Sequence, residues 1–208
     1  MGAYPLLKAN KLRSRFYNRV IKFDVSCFCE VGAYEASASI FVSNKLSKCE
    51  IFAFEANPYN YEKFKHLFGN YIHKAVSDEV GLVDFYLQKN HAKDIGNNSL
   101  LKRQGALSDN YYNKVQVPCD TLDNLVYNKN RRYALWIDVE GKGYEVLKKA
   151  SKVLKNTDCI LIEVESLKHW DNQKIDTDII NLLSDAGFKI DAYDDEYSSQ
   201  YNILFIKK

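Results

Sequence analysis

Two acidic residues follow apolar runs in the first quarter of the chain, in a pattern that suits nucleoside binding. The first run ends in Glu30-Val31-Gly32, and the second, Phe52-Ala53-Phe54, ends in Glu55. A carboxylate at a strand end can accept hydrogen bonds from both hydroxyls of a ribose, and glycine lets the backbone approach a ligand closely. Glu55 follows Gly32 by 23 residues (55 − 32), close to the spacing of about 20 in nucleoside-binding β-α-β units.

The turn after the first run indicates which nucleoside is bound. It contains only Gly32, and Ala36 stands where a GxGxxG motif has its last glycine. A dinucleotide turn needs those glycines to admit a pyrophosphate, so the turn favours S-adenosylmethionine, with Glu30 at its ammonium group, over a nicotinamide cofactor. We expect cofactor contacts at the strand ends, from Glu30, Gly32, Ala33, Tyr34, Glu55, Ala56, Asn57, Val76, Ser77, Asp78 and Asp138.

A third strand end carries Val76-Ser77-Asp78. The Asp78 carboxylate can accept from an adenine amine, with the Ser77 backbone near the edge of the ring. Alternatively, Ser77 and Asp78 only begin the turn that leads to Gly81. The residues alone leave the two interpretations equally open.

Candidate catalytic groups follow Trp136-Ile137, where Asp138 and Glu140 mark the end of the predicted central strand. Two carboxylates there can orient an acceptor hydroxyl or take its proton, although Asp138 can also simply cap the next helix. His169 is a further candidate base because its ordinary pKa is about 6.5, but a lone loop histidine is more often just exposed. A Mg²⁺ site formed by Asp138 with Glu163 or Glu165 is a minor alternative, so we assign no metal ligand.

The elements that position these residues alternate between strands and helices, which predicts an α/β fold with a mostly parallel seven-stranded sheet. Asp194–Gln200 is too short for a helical crossover, so the last two strands should form an antiparallel hairpin. The predicted strands are Val25–Val31, Ile51–Glu55, Tyr71–Val76, Leu135–Asp138, Cys159–Val164, Phe188–Tyr193 and Tyr201–Ile206. The predicted helices are Ser37–Leu46, Pro58–Phe68, Leu122–Tyr127, Tyr144–Leu154 and Thr177–Ala186.

The length of 208 residues is most simply that of one domain. We expect a basic, helical segment at 1–23, followed by one domain at 24–208 with an added hairpin at Val83–Leu87. A polar insertion near 89–113 is expected to act as a lid. The five cysteines lack disulfide spacing and suit reduced thiols in a cytoplasmic protein. No apolar run approaches the roughly 20 residues of a membrane span.

Six ordered motifs resemble the FkbM family of S-adenosylmethionine-dependent methyltransferases. They are Glu30–Ala36, Phe54–Pro58, Ala75–Asp78, Gly96–Leu100, Val117–Asp123 and Trp136–Gly141. In the first motif the family pattern has Asp, Asn and Gly where this chain has Glu30, Tyr34 and Ala36, so the turn here is bulkier. In the last motif Trp136 replaces the Lys of the family pattern. The resemblance implies a Rossmann-like class I methyltransferase sandwich that binds S-adenosylmethionine.

The same resemblance implies O-methylation of a hydroxyl on a sugar or another small-molecule or glycan acceptor. We expect no nucleic acid substrate, because Pro118-Cys119 precedes the central strand, whereas the nucleophile of cytosine C5 enzymes follows it. The altered turn keeps a catalytically inactive binding module as an alternative, and a nicotinamide-dependent oxidoreductase is a weaker one. The sequence leaves the oligomeric state open.

Overall fold

The structure is a computed structural model that describes residues 4–67, 69–89, 98–105, 111–195 and 197–208. Within these ranges the strands are β1 (Leu6–Leu7), β2 (Cys27–Val31), β3 (Glu50–Glu55), β4 (Tyr71–His73), β5 (Ala75–Val76), β6 (Gly81–Gln88), β7 (Tyr112–Asp120), β8 (Tyr133–Ile137), β9 (Thr157–Glu165), β10 (Phe188–Asp194) and β11 (Gln200–Lys207). The helices are α1 (Ala9–Phe23), α2 (Ser37–Lys45), α3 (Pro58–Phe64), α4 (Leu122–Val126), α5 (Gly143–Lys148), α6 (Ser151–Lys155) and α7 (Asp176–Asp185).

The main sheet has eight strands in the order β1-β10-β11-β9-β8-β2-β3-β4. Strand β2 pairs in parallel with β3 on one side and with β8 on the other. Both β2 and β8 are buried along their whole length, which explains their continuous apolar sequences. Strand β11 is antiparallel to β9 and β10. The predicted mostly parallel sheet with an antiparallel C-terminal pair is therefore confirmed.

The sheet differs from the prediction at its two edges. It has eight strands rather than seven because β1 pairs in parallel with β10, through Leu6 with Tyr193 and Leu7 with Asp194. The predicted strand Tyr71–Val76 is divided: β4 stays beside β3, whereas β5 joins a second sheet with the order β5-β7-β6. The division has a packing reason, since Ala75 belongs to a separate apolar cluster with residues of β6 and β7.

The hairpin predicted at Val83–Leu87 is part of β6, which pairs antiparallel with β7 from Gly81–Cys119 to Gln88–Tyr112. The insertion expected near 89–113 connects these two strands, and its residues 90–97 and 106–110 lie outside the described part of the chain. The lid therefore remains a prediction. The described segment 98–105 is attached at both ends, through a bridge between Ser99 and Tyr86 and another between Arg103 and Trp170.

Local backbone geometry sets the helix ends. Asn57 caps α3: its Oδ1 accepts a hydrogen bond of 3.0 Å from the Tyr59 amide, and Pro58 follows in the first turn. The predicted helix Tyr144–Leu154 is instead two short helices, α5 and α6. They are separated where Lys149 and Ala150 leave helical geometry, with φ, ψ of −107°, 16° and −105°, 24°.

Helices cover both faces of the main sheet. On one face α1 buries Leu12, Phe16 and Val20 against sheet residues that include Phe28 and Trp136. On the other face α4 to α7 pack against the opposite side chains of the same strands. The helix expected in the segment 1–23 is thus present, while the division at residue 24 remains a prediction. Among the described helices, none combines the length and apolar character that crossing a bilayer requires.

The cysteines agree with the expectation of reduced thiols. All five are free, and all except Cys49 are buried. Burial raises the pKa of Cys119 to about 11 and that of Cys49 to about 12, so both stay protonated near neutral pH. We therefore assign them no nucleophilic role.

Candidate active site

The carboxyl ends of β2, β3 and β8 open into a cavity of about 240 Å³. This position agrees with the rule that parallel sheets bind ligands beyond the carboxyl ends of their strands. Most of the residues predicted from the sequence line the cavity: Gly32, Tyr34, Glu55, Ala56, Asn57, Val76, Asp138 and Glu140. The other predicted residues, Glu30, Ala33, Ser77, Asp78 and His169, lie outside this lining.

The Glu55 side chain is only 7 % exposed, and backbone amides from two turns hold it in place. Its Oε2 accepts a hydrogen bond of 2.8 Å from the Tyr34 amide, and its Oε1 accepts one of 2.7 Å from the Asn57 amide. Burial raises the pKa of Glu55 above its ordinary value, although these amides and Asn60 oppose the rise. Each carboxylate oxygen can accept a further hydrogen bond, so the group is oriented and still able to bind a ligand.

Glu30 serves the N-terminus of α2 in this structure. Its carboxylate accepts hydrogen bonds from the amides of Ala38 at 3.4 Å and Ser39 at 2.8 Å, which compensates free N–H groups at the start of the helix. Burial raises its pKa to about 7 despite these amides. A direct contact between Glu30 and a ligand ammonium therefore remains a prediction.

Gly32 is required by a close approach of two strands. It has a φ of +79°, and a Cβ at this position would lie 1.8 Å from the Asp138 carbonyl oxygen. The missing side chain thus lets the end of β2 contact the peptide after β8. Ala33 points away from the cavity, into a cluster with Ala36, Ala53 and Tyr71.

The turn after Gly32 contains two further left-handed residues. Tyr34 has a φ of 45° and Ala36 a φ of 55°, a conformation that costs residues with a Cβ about 1–2 kcal/mol. The Tyr34 carbonyl accepts a hydrogen bond from the Tyr71 hydroxyl, and the Tyr34 ring packs edge-on against Phe64. These contacts hold the strained turn in place.

At the third strand end, Val76 reaches the cavity but the two residues that follow it, Ser77 and Asp78, do not. The Ser77 side chain is fully buried, and its Oγ donates to Asp78 at 3.3 Å. Asp78 also forms an ion pair of 3.3 Å with Lys148. Burial alone would raise the pKa of Asp78, but Lys148 and Lys142 lower it below its ordinary value. Adenine binding by Asp78 remains a prediction.

Three carboxylates meet at the ends of β8 and β9. Carboxylate oxygens of Glu140, Glu163 and Glu165 all lie within 4.8 Å of one another, whereas Asp138, which the sequence suggested as their metal partner, is outside this group. Burial and the neighbouring charges raise the pKa of Glu140 to about 8 and that of Glu165 to about 7, and they also raise the pKa of Glu163. The cluster therefore retains protons near neutral pH.

His169 lies beyond this cluster. Its Nε2 is 2.9 Å from the Ser199 Oγ, and its backbone amide donates to the Gln173 side chain at 2.7 Å. These contacts connect the segment after β9 to the loop before β11. A catalytic role for His169 remains a prediction, without support from its position.

Sequence reasoning missed several residues of the cavity wall: Asn60, Lys74, Phe85, Leu100 and Lys142. Asn60 follows Asn57, the cap of α3, by three residues, so its helical spacing from this predicted cofactor contact could have identified it. Phe85 and Leu100 come from the second sheet and the insertion, and no local pattern indicates that these fold over β2 and β3.

The site lies within a segment that matches a known family. A model of the FkbM methyltransferase domain matches residues 30–190, which is more than half of the chain. This chain belongs to the FkbM methyltransferase family. Its turn departs from the family pattern at Tyr34 and Ala36, where Asn and Gly, the residues that best tolerate left-handed geometry, would stand.

Solved structures show the same fold. An FkbM methyltransferase from Methylobacillus flagellatus KT has a TM-score of 0.53 and 8 % identity, over 88 % of this chain and 44 % of that one. A proposed sarcosine dimethylglycine methyltransferase from Galdieria sulphuraria has a TM-score of 0.53 and 9 % identity, over 96 % and 86 %. No curated protein matches the sequence. The fold is that of class I methyltransferases, and the chain spans less than half of the Methylobacillus protein.

Proposed function

We propose that this FkbM family member uses S-adenosylmethionine to methylate a hydroxyl oxygen on a sugar or another small-molecule or glycan acceptor. The observation that carries the proposal is the Glu55 carboxylate, which is buried in the cavity wall and fixed by two backbone amides. Hydrogen bonds with one charged partner contribute about 1.5–3 kcal/mol each. Two ribose hydroxyls on Glu55 would therefore supply a large part of the affinity for the cofactor.

The chemistry of the cavity wall fits an adenosyl ligand. Beside Glu55, the Nδ2 of Asn57 and the Oδ1 of Asn60 are buried without hydrogen-bond partners. Such groups cost about 1–3 kcal/mol each when left unpaired, and ligand hydroxyl or amine groups would satisfy them. Val76 and Phe85 add apolar surface on the same wall, which suits an aromatic base. We assign these residues, with Gly32, Tyr34 and Ala56, to cofactor binding.

When bound, S-adenosylmethionine supplies an electrophilic methyl group on a sulfonium sulfur. Asp138 and Glu140 line the same cavity at the end of the adjacent strand, and we assign them to the acceptor. Asp138 orients the acceptor hydroxyl, and the deprotonated form of Glu140, whose population grows as the pH approaches its pKa of about 8, takes the proton. A general base contributes about 10²–10⁴-fold in rate. Alignment of the two reactants can lower the barrier by about 7–11 kcal/mol, which is the larger contribution.

Calorimetric titration with S-adenosylhomocysteine tests the cofactor half of the proposal. Glu55→Gln should weaken binding by about 10–100-fold per lost hydrogen bond. Glu35→Gln is the matched control, because Glu35 lies next to Tyr34 in the turn that contacts Glu55 but is exposed, and it should bind like wild type. Equal affinities in the two variants would remove Glu55 from the site.

Transfer of a labelled methyl group to hydroxyl-bearing sugars and glycans tests the acceptor half. We expect S-adenosylhomocysteine release that depends on the acceptor and falls in Glu140→Gln. The strained residues Tyr34 and Ala36 favour the second candidate, a binding module without turnover. Tight cofactor binding with no release on any acceptor would identify that module.

A further inference from the structure

Helix α1 carries a line of positive charges that the proposed function does not use. Its cations are spaced by three or four residues, so they lie along one side of the helix. They are Lys8, Lys11, Arg15, Arg19 and Lys22. We call these five residues the basic stripe. At 1.5 Å per residue it is about 21 Å long, with one cation every 5 Å or so.

The charge of the stripe contrasts with that of the rest of the chain. The first 23 residues contain six cations and no acid, whereas the whole chain has a net charge of +2. The remaining residues therefore carry −4, which is +2 less +6. A positive segment on an otherwise acidic molecule produces a local field that directs anions to that segment.

A groove of about 480 Å³ runs along the stripe. Leu7, Ser14 and Asn18 line it together with four of the five cations, and the described residues place no aromatic ring in its lining. Asp191 holds two of the cations in position: Arg15 donates to its carboxylate at 2.7 and 3.0 Å, and Arg19 at 3.0 Å. Since Asp191 offsets one charge, a net charge of about +4 remains.

The residues of this surface restrict the polyanion that it can bind. A bilayer is flat and usually takes up the apolar side of an amphipathic helix, but α1 buries Leu12, Phe16 and Val20 inside the protein. Single-stranded nucleic acids bind largely by stacking bases on aromatic rings, which the described lining of the groove does not offer. An open surface with cations, a hydroxyl and an amide instead matches a chain that carries both anionic and hydroxyl groups.

We propose that the basic stripe and its groove bind a linear anionic polysaccharide. Its carboxylates pair with Lys11, Lys22 and the unused N–H groups of Arg15 and Arg19, while Ser14 and Asn18 bond its hydroxyls. The spacing of about 5 Å between cations is close to the length of one extended hexose unit. Among the described residues, none lines both this surface and the cofactor cavity, so the proposal stands or fails independently of methyl transfer.

Polygalacturonate oligomers, titrated into the full chain at about 50 mM salt, test the proposal. We expect binding that weakens by about tenfold or more at 200 mM salt, because exposed charge pairs are screened. Lys11→Glu/Lys22→Glu should weaken binding by about tenfold or more. Unchanged thermal unfolding and S-adenosylhomocysteine affinity would show that the double variant is folded.

Lys149→Glu/Lys155→Glu is the matched control. It makes the same charge change at two exposed lysines on the opposite sheet face, one directly after α5 and one at the end of α6, and its affinity for the oligomers should stay within about twofold of wild type. If both double variants lost the same affinity for the oligomers, the overall charge of the protein would explain the effect, and the proposal would be overturned. It would also be overturned by no binding of polygalacturonate, or by tighter binding of poly(U) or of phosphatidylglycerol vesicles.

Discussion

Replacing Gly32 by alanine tests the close contact between β2 and the end of β8. The new Cβ would lie 1.8 Å from the Asp138 carbonyl oxygen, at a φ of +79°. Left-handed geometry costs about 1–2 kcal/mol, and forcing a methyl group into packed backbone costs about 1–3 kcal/mol more. The total loss of about 2–5 kcal/mol corresponds to roughly 4–20 °C in Tm for a chain of this size.

Gly105→Ala is the control that separates the two contributions. Gly105 has a nearly equal φ of +74°, but in the described part of the chain no non-neighbouring residue has an atom within 4 Å of its ideal Cβ position. Urea denaturation should therefore show a clearly smaller loss for Gly105→Ala than for Gly32→Ala. Because Asp138 also lines the cavity, Gly32→Ala should weaken binding of S-adenosylhomocysteine as well. Equal losses of stability in the two variants would refute the argument from the contact.

Three further changes have defined outcomes. Asn60→Ala should weaken S-adenosylhomocysteine binding by about 5–10-fold, because it removes a buried polar group from the cavity wall. An unchanged affinity in calorimetry would contradict this. Burial raises the pKa of Glu140 to about 8, so wild type should lose stability as pH rises from about 4.5 through 8. Urea denaturation should show that Glu140→Gln is more stable than wild type at pH 9 and equally stable at pH 4. Tyr201→Phe removes a bond of 2.6 Å to buried Asp176 and should cost about 1.5–3 kcal/mol in urea denaturation; a smaller loss would mean that Asp176 finds another donor.

The sheet was predictable because its buried strands have distinct sequences. The runs ending at Val31 and Glu55 are apolar and bounded by turn residues, and this pattern alone located β2 and β3. The division of Tyr71–Val76 was not predictable, since it depends on how β6 and β7 pack against Ala75. The strand β1 has only two residues, too few to show a periodicity, and it is defined by its pairing with β10.

The site was predictable in its strand ends and less so in its side-chain contacts. Asp138 and Glu55 line one cavity as expected, because parallel strands end at the same edge. The sequence could not show that Glu30 turns toward the amides of α2, or that Gly32 makes room for a neighbouring peptide. Both outcomes depend on distances between elements that are far apart along the chain.

The two amide contacts of Glu55 have a consequence for binding kinetics. They join the turn at Tyr34 to the start of α3 at Asn57, so this part of the pocket is preorganised before a ligand enters. A preorganised pocket loses little conformational entropy on complex formation. Association should therefore be a single fast step without a slow rearrangement, and the ligand-free and ligand-bound backbones should superpose closely at these two turns.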